Sequence, residues 1–267
     1  MALSSLLRTY DHVLLDLDGC VWIGGTATPG APAAVAALRA GGKRLAFVTN
    51  DARHSGEDFV RMLWSAGFQA SLEEVVTVGG ALQHLLAEHH AGESAVVIGS
   101  AAIHRHVLDA GLRIINGTDV VSRASVVVVA GHDGFDLAEL RDATRAVRSG
   151  AALIGAARDA VYPQPDGLWP GSGAVLAAVE VAGGRSADVV VGKPEPGLFA
   201  TALDRLGPGH GLMVGDGLDA DVAGAQAAGL DAAIVLTGVT TREQAEAAPA
   251  SQRPVAVAES LASLVLG

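Results

Sequence analysis

The sequence predicts an α/β fold in which a parallel sheet is interrupted by a second, inserted α/β domain. Apolar runs of Val and Leu without polar alternation recur along the chain, as in strands that are covered on both faces. Helix-like segments separate these runs, which is typical of βαβ units. The pattern restarts near Ala91, and residues 183–186 have the Gly-rich composition of a hinge. We therefore expect a core of residues 1–90 and 187–267 and an inserted domain of residues 91–186.

Composition limits the class of protein. The chain has 267 residues, of which half are hydrophobic and only 4% aromatic, so Ala, Val and Leu must build the core. The net charge of −11 argues against a nucleic acid or an anionic membrane as partner. Cys20 is the single cysteine, which excludes a disulfide framework and fits a reducing compartment. With no signal peptide or membrane-spanning run in the sequence, we expect a cytoplasmic protein.

The first third of the chain alternates strands and helices. A helix is expected to begin near Pro29 and Pro32, because proline is well tolerated in the first helical turn, and to stop at Gly41. In order, the predicted elements are a strand ending at residue 15, a helix to about Arg39, a strand over residues 43–48, a helix through Phe59, Leu63 and Trp64, a strand at residues 75–77 and a helix over residues 81–89.

The rest of the chain continues the alternation. Residues 162–173 are rich in Pro and Gly, and the sequence predicts no strand there. Around this stretch we expect strands at residues 95–99, 125–129 and 151–155, a helix over about residues 174–182, and strands at residues 189–193, 212–216 and 232–236.

Four of these predicted strands end in functional groups. The groups are Asp16 with Asp18, Thr49 with Asn50, Lys193, and Asp216 followed by Asp221. If the strands are parallel neighbours, the groups meet at one edge of the sheet, where ligands of such sheets bind. Neighbouring carboxylates repel each other unless a cation, a proton or chemistry compensates. The combination of acids, one ammonium and a hydroxyl predicts a site for a hard cation and a phosphate dianion.

The acids point to Mg2+, which prefers oxygen ligands and commonly takes one or two carboxylates together with water and phosphate. Asp16 and Asp216 are the candidate direct ligands. Asp221 would bind directly or through water, and the backbone carbonyl of Asp18 would be a further ligand.

The same groups could carry out phosphoryl transfer. Asp16 would attack phosphorus, because a carboxylate can be the nucleophile that forms an aspartyl-phosphate intermediate. Asp18 would protonate the leaving oxygen and then activate water. Thr49, the Asn50 region and Lys193 would hold the phosphoryl oxygens, since this chemistry depends mainly on positioning and charge neutralisation.

Four ordered motifs, at residues 16–19, 48–50, 192–196 and 214–221, resemble those of haloacid-dehalogenase (HAD) superfamily phosphatases. The spacing is similar to that of the NagD-type, or p-nitrophenylphosphatase-like, branch. The resemblance implies a Rossmann-like core with a C2-type α/β cap and a homodimer through that cap. It also implies a Mg2+-dependent phosphomonoesterase acting on a small metabolite such as glycerol phosphate, phosphoglycolate, a sugar phosphate or a nucleotide.

The resemblance also assigns roles to individual positions. Carried over residue by residue, it makes Asp16 the nucleophile and Asp18 the acid and base, gives phosphate binding to Thr49 and Asn50, charge neutralisation to Lys193, and metal binding to Asp216 and Asp221.

Departures from the family pattern concern the substrate. Asp51 stands where the family often has a second Asn, which would place an extra negative charge near the phosphate. Arg158, Asp159 and Tyr162 lie on the cap loop that should face the site. They could read the leaving group of the substrate, or they could only shape the loop. These residues leave the identity of the substrate undetermined, but they do not change the expected class of reaction.

Two other functions use the same motifs. A non-catalytic phosphometabolite-binding protein would need no acid or base, so the presence of Asp16, Asp18 and Lys193 argues against it. A phosphotransferase to an alcohol acceptor would need the same residues as a phosphatase. Only the products distinguish the phosphotransferase from the phosphatase.

Overall fold

The computed structural model describes residues 3–267, which form fifteen strands and ten α-helices. The strands are β1 (His12–Leu15), β2 (Trp22–Ile23), β3 (Thr26–Ala27), β4 (Arg44–Thr49), β5 (Val75–Thr77), β6 (Ser94–Gly99), β7 (Arg113–Ile114), β8 (Val126–Gly131), β9 (Ala152–Gly155), β10 (Val161–Gln164), β11 (Gly167–Pro170), β12 (Val189–Val190), β13 (Gly211–Gly215), β14 (Asp231–Val235) and β15 (Ala256–Ala258). The helices are α1 (Ala31–Ala40), α2 (Gly56–Ser65), α3 (Val78–His89), α4 (Ala101–Asp109), α5 (Leu137–Arg148), α6 (Ser172–Gly183), α7 (Pro196–Leu206), α8 (Gly224–Ala227), α9 (Arg242–Glu246) and α10 (Leu261–Leu266).

A six-stranded parallel sheet has the order β15-β14-β13-β1-β4-β5. Leu15, the last residue of β1, lies opposite Val214 of β13 and Phe47 of β4. The carboxyl ends of these three strands are therefore neighbours at one edge of the sheet. The expectation of an α/β fold with a parallel sheet is confirmed.

A second parallel sheet, of five strands in the order β12-β9-β8-β6-β7, is built mainly from the middle third of the chain. Its strand β12 was expected to run over residues 189–193 as a neighbour of the three site strands. That prediction is wrong: β12 covers two residues and pairs with β9, with Val189 opposite Ile154. Gly192 still donates its N–H to the carbonyl of Ala156 before the chain crosses back to the first sheet. Lys193 thus reaches the site edge from a segment that pairs with the sheet of the inserted domain.

An antiparallel hairpin of β10 and β11 occupies the stretch for which the sequence predicted no strand, with Tyr162 opposite Trp169. Pro163 and Pro170 lie within these strands, and proline in a short run argues against a strand because it cannot donate to a ladder. A two-stranded ribbon has a free edge on each strand and tolerates both prolines.

The predicted helices are present within a few residues of their expected bounds. Among residues 3–267 no helix is long and apolar enough to cross a membrane.

Both faces of the six-stranded sheet are covered by apolar side chains. Leu14 belongs to one hydrophobic cluster, while Val13 and Leu15 belong to another, as expected when successive residues of a strand point to opposite faces. The cluster around Leu14 also contains Val97 and Val128 of the second sheet. One continuous apolar core therefore joins the two sheets and fixes the inserted domain against the first.

Leu82 and Leu137 test where this core lies. Leu82 in α3 is 0% exposed, whereas Leu137 at the start of α5 is 79% exposed. Leu82→Ala should lower the free energy of unfolding by about 2–5 kcal/mol, because it leaves a cavity in the shared core. Leu137→Ala should change it by less than about 0.5 kcal/mol. Urea denaturation followed by circular dichroism measures both, and equal effects would contradict this placement of the core.

Candidate active site

Three carboxylates meet beyond the ends of β1 and β13. Asp16 and Asp216 directly follow these strands, and Asp221 lies in a π-helical turn over Leu218–Ala223. One oxygen of each carboxylate lies within 4.8 Å of the others, and all three side chains are buried. Oxygen donors this close together suit a hard divalent cation.

Backbone amides hold two of these acids in place. Asp221 Oδ2 accepts the N–H of Asp216 at 3.1 Å and that of Gly217 at 2.9 Å. Asp216 Oδ2 accepts the N–H of Val239 at 2.7 Å. The orientation of Asp216 and Asp221 is therefore set by the loops after β13 and β14, before any ligand binds.

Two glycines make room for Asp216. A Cβ atom at Gly19 or Gly238 would overlap with the Asp216 carboxylate. Gly19 also has a φ angle of +87°, a conformation that residues with a side chain rarely adopt. The packing around this acid therefore depends on the absence of side chains at both positions.

Lys193 balances the negative charge of the cluster. Its Nζ donates to Asp16 Oδ1 at 2.5 Å and to Asp221 Oδ1 at 2.7 Å, and its side chain is 2% exposed. Burial lowers the pKa of Lys193, but the charges of Asp16 and Asp221 outweigh burial and raise the pKa well above its ordinary value. Lys193 is therefore an ammonium ion buried between two carboxylates.

Ionisation of the buried acids remains unfavourable despite the charge of Lys193. Burial raises the pKa of Asp16 above its ordinary value despite the opposing charge of Lys193. Burial also raises the pKa of Asp216 to about 7, and the charge of Asp221 adds to the rise. One ammonium thus compensates only part of the repulsion, so the cluster favours a further cation.

Asp18 is separate from the three-acid cluster. Its Oδ1 accepts the indole N–H of Trp22 at 3.0 Å, a contact that the sequence did not suggest. Burial raises the pKa of Asp18 to about 6, with a contribution from the charge of Asp51. A carboxyl group that titrates near neutral pH can both donate and accept a proton.

Asn50 connects the end of β4 with the loop that carries Lys193. Its Oδ1 accepts the N–H of Lys193 at 2.8 Å, and its Nδ2 donates to the Lys193 carbonyl at 3.0 Å. The same Nδ2 donates to Asp159 Oδ2 at 2.7 Å. Thr49, the last residue of β4, accepts the N–H of Asp51 on its Oγ1 at 3.0 Å.

The site acids, Lys193, Thr49 and Asn50 line a cavity of about 340 Å³ between the six-stranded sheet and the β10–β11 hairpin. The cavity brings together the strand-end residues of the first sheet and Asp159 and Tyr162 of the inserted domain. It also includes residues that the sequence analysis did not propose: Arg53, His132, Asp133, Phe135 and Trp169. His132 and Asp133 follow the carboxyl end of β8 in the second parallel sheet. Ligands bind beyond such strand ends, so this position in the sequence was a signal for both residues.

The family of the chain follows from its relatives. The family described as haloacid dehalogenase-like hydrolase matches residues 13–113, and a HAD-hydrolase-like family matches residues 190–264. The D-glycerol 3-phosphate phosphatase of Mycobacterium tuberculosis is 36% identical over 98% of this chain and 73% of its own length. The chain belongs to the haloacid dehalogenase-like hydrolase family. Human chronophin is 32% identical over 100% of the chain and 96% of its own length.

Solved structures of HAD-like phosphatases have the same architecture. The glycerol phosphate phosphatase of Mycobacterium tuberculosis in complex with magnesium has a TM-score of 0.87, with 36% identity over 98% of this chain and 78% of that one. NagD from Escherichia coli has a TM-score of 0.80, with 26% identity over 95% of this chain and 98% of that one. These relatives confirm the predicted NagD-like branch, and they confirm the prediction of a phosphomonoesterase.

Arg53 compensates the charge of Asp51, the residue that departs from the HAD pattern. Arg53 Nε donates to Asp51 Oδ1 at 2.8 Å, and a terminal nitrogen donates to Oδ2 at 2.9 Å. Burial alone would raise the pKa of Asp51, but hydrogen bonds from His54 and Arg53 lower it to about 2. Asp51 is therefore charged and paired. The Arg53 guanidinium also lies 4.2 Å from the centre of the Tyr162 ring, across the cavity wall.

Two of the three cap-loop candidates line the cavity, and the third does not. Asp159 and Tyr162 are cavity residues, whereas Arg158 pairs with Glu180 of α6 at 3.0 Å. The prediction that Arg158 reads the leaving group is not supported by this position. Both terminal nitrogens of Arg158 instead donate to the Glu180 carboxylate, which is not a cavity residue.

Asn50→Ala should lower the free energy of unfolding by about 1–3 kcal/mol, because partly buried groups of Lys193 and Asp159 lose their partners. It should also reduce phosphatase activity, because the backbone that carries Lys193 loses its support. Asn116→Ala is the matched control, since Asn116 makes the same pair of amide bonds to Val97 inside the inserted domain. Chemical denaturation and phosphate release measure the two effects. Equal loss of activity in both variants would contradict a local role for Asn50.

Proposed function

We propose that this protein is a Mg2+-dependent phosphatase that hydrolyses small phosphomonoesters through an aspartyl-phosphate on Asp16. The observation that carries the proposal is the buried group of Asp16, Asp216 and Asp221 with Lys193 bonded between two of its acids. Purely structural acids would not need to converge at the floor of a cavity.

The first step forms the intermediate. A carboxylate oxygen of Asp16 attacks phosphorus, and the bond from phosphorus to the leaving oxygen breaks. Asp18 donates its proton to that oxygen, which leaves as an alcohol. The raised pKa of Asp18, about 6, leaves a useful protonated fraction near neutral pH.

The second step restores the enzyme. Water attacks the phosphorus of the aspartyl-phosphate, and Asp18, now a carboxylate, takes a proton from that water. The phosphorus–oxygen bond to Asp16 breaks, inorganic phosphate leaves, and the Asp16 carboxylate is regenerated. The cavity of about 340 Å³ has room for a small substrate.

Positive charge must offset the acids and the phosphate dianion. Lys193 supplies one charge next to Asp16, and the Thr49 hydroxyl lines the same pocket and can bind a phosphoryl oxygen. Mg2+ held by Asp16, Asp216, Asp221 and the backbone carbonyl of Asp18 would neutralise the developing charge on the phosphoryl group. The magnesium complex of the Mycobacterium tuberculosis relative supports this choice of metal.

Phosphate release from a panel of esters tests the reaction. The panel contains glycerol phosphate, phosphoglycolate, a sugar phosphate, a nucleotide and p-nitrophenyl phosphate, each with Mg2+ or with EDTA. Asp16→Asn should reduce release by at least about a thousandfold, because the amide is a poor nucleophile. Appreciable steady turnover by this variant, in folded form, would exclude Asp16 as the nucleophile. Product analysis with added alcohol separates hydrolysis from phosphotransfer.

Asp221→Asn should raise the Mg2+ concentration for half-maximal activity by about ten- to a hundredfold, whether Asp221 binds directly or through water. Asp219→Asn is the matched control, because Asp219 lies on the same turn but is exposed and accepts a hydrogen bond from Gln252. A Mg2+ titration of initial rates measures both variants. The same Mg2+ requirement in the two variants would exclude Asp221 from the metal site.

A further inference from the structure

Asp133 is an unpaired acid on the cap side of the cavity. It follows the carboxyl end of β8, lines the cavity, and is exposed to solvent. No hydrogen bond or ion pair from residues 3–267 reaches its carboxylate. The other carboxylates of this cavity have polar partners, so Asp133 differs from them.

The positive charges that line the cavity are already engaged. Of its lining residues, Lys193 and Arg53 carry full positive charges. Lys193 is bonded to two acids, and Arg53 donates to both oxygens of Asp51. His132 uses both ring nitrogens, one with Glu139 and one with the N–H of Gly134. No free cation in the described lining therefore faces the leaving group of a substrate.

Aromatic side chains complete this part of the wall. Phe135, Tyr162 and Trp169 line the cavity together with Asp133. Burial raises the pKa of Tyr162, and the charge of Asp133 adds to that rise. A carboxylate next to aromatic rings attracts a cation and repels an anion.

We propose that Asp133 makes this cavity selective for phosphomonoesters whose leaving group is neutral or carries an ammonium group, and against those with a second anionic group. The proposal rests on the phosphatase function proposed above. When the phosphoryl group lies at Asp16 and Lys193, the rest of the ester extends toward the cap hairpin and passes Asp133. A carboxylate on that part meets like charge without compensation, whereas an ammonium gains a partner.

Charge changes at Asp133 test the selectivity. The substrates are ethanolamine phosphate, glycerol 3-phosphate and 2-phosphoglycolate, whose leaving groups carry an ammonium, no charge and a carboxylate. The wild type should have its lowest kcat/KM for 2-phosphoglycolate. Asp133→Asn should raise the ratio of kcat/KM for 2-phosphoglycolate over ethanolamine phosphate by about tenfold at low salt, and Asp133→Lys should raise it further. High salt should shrink these changes, because exposed charges are screened.

Asp119→Lys is the matched control. Asp119 is also exposed in the inserted domain but does not line the cavity, so the same change of charge should leave the ratio within about twofold. An unchanged ratio in Asp133→Lys, or an equal change in Asp119→Lys, would overturn the proposal. So would a wild-type preference for 2-phosphoglycolate over the other two esters.

Binding measurements separate this proposal from the proposed function. Calorimetry with Mg2+ and the Asp16→Asn variant ranks the affinities of the three esters without turnover. Absence of phosphate release from every ester would contradict the phosphatase function, while the order of affinities would still test the selectivity. Phosphate release from all three esters with equal affinities and equal kcat/KM would overturn the selectivity alone.

Discussion

The buried ammonium of Lys193 is the interaction on which the site depends. Three carboxylates lie within 4.8 Å of one another, and their mutual repulsion would favour protonation or displacement without a nearby positive charge. Lys193 bonds to Asp16 after β1 and to Asp221 beyond β13, so it joins acids from separate segments. A buried ion pair of this kind costs desolvation. In the proposed function it holds Asp16 and Asp221 where a cation and a phosphoryl group would bind.

The position of Lys193 in turn ties the two sheets together. It follows β12, which pairs with the sheet of the inserted domain, while its ammonium reaches the acids of the other sheet. Asn50, at the end of β4, holds the same loop through the backbone of Lys193. The apolar core that contains both Leu14 and Val128 continues this connection away from the cavity. Lys193, Asn50 and the shared apolar core therefore all connect the two sheets at one boundary.

The cavity separates two electrostatic tasks. In the proposed function, Lys193 and a bound Mg2+ would offset the charge of the phosphoryl group near Asp16, a group that every phosphomonoester presents. Near the cap, the Arg53 guanidinium pairs with Asp51 and lies against the Tyr162 ring. It therefore offers no free positive charge to the leaving group. Under the two proposals, the reaction at Asp16 would stay the same while residues on the cap side of the cavity set which ester is accepted.

The amino-acid sequence by itself determined the elements whose signals are local. The apolar run before Asp16 and the polar groups after β4 and β13 identified buried strands and their functional ends, because burial on both faces requires such runs. Other features depended on partners distant in sequence. The pairing of β12 with β9, the β10–β11 hairpin, the outward direction of Arg158, and the cavity positions of Arg53 and Asp133 are examples. Only the tertiary structure decided these, because strand pairing and side-chain direction follow from contacts that no local pattern encodes.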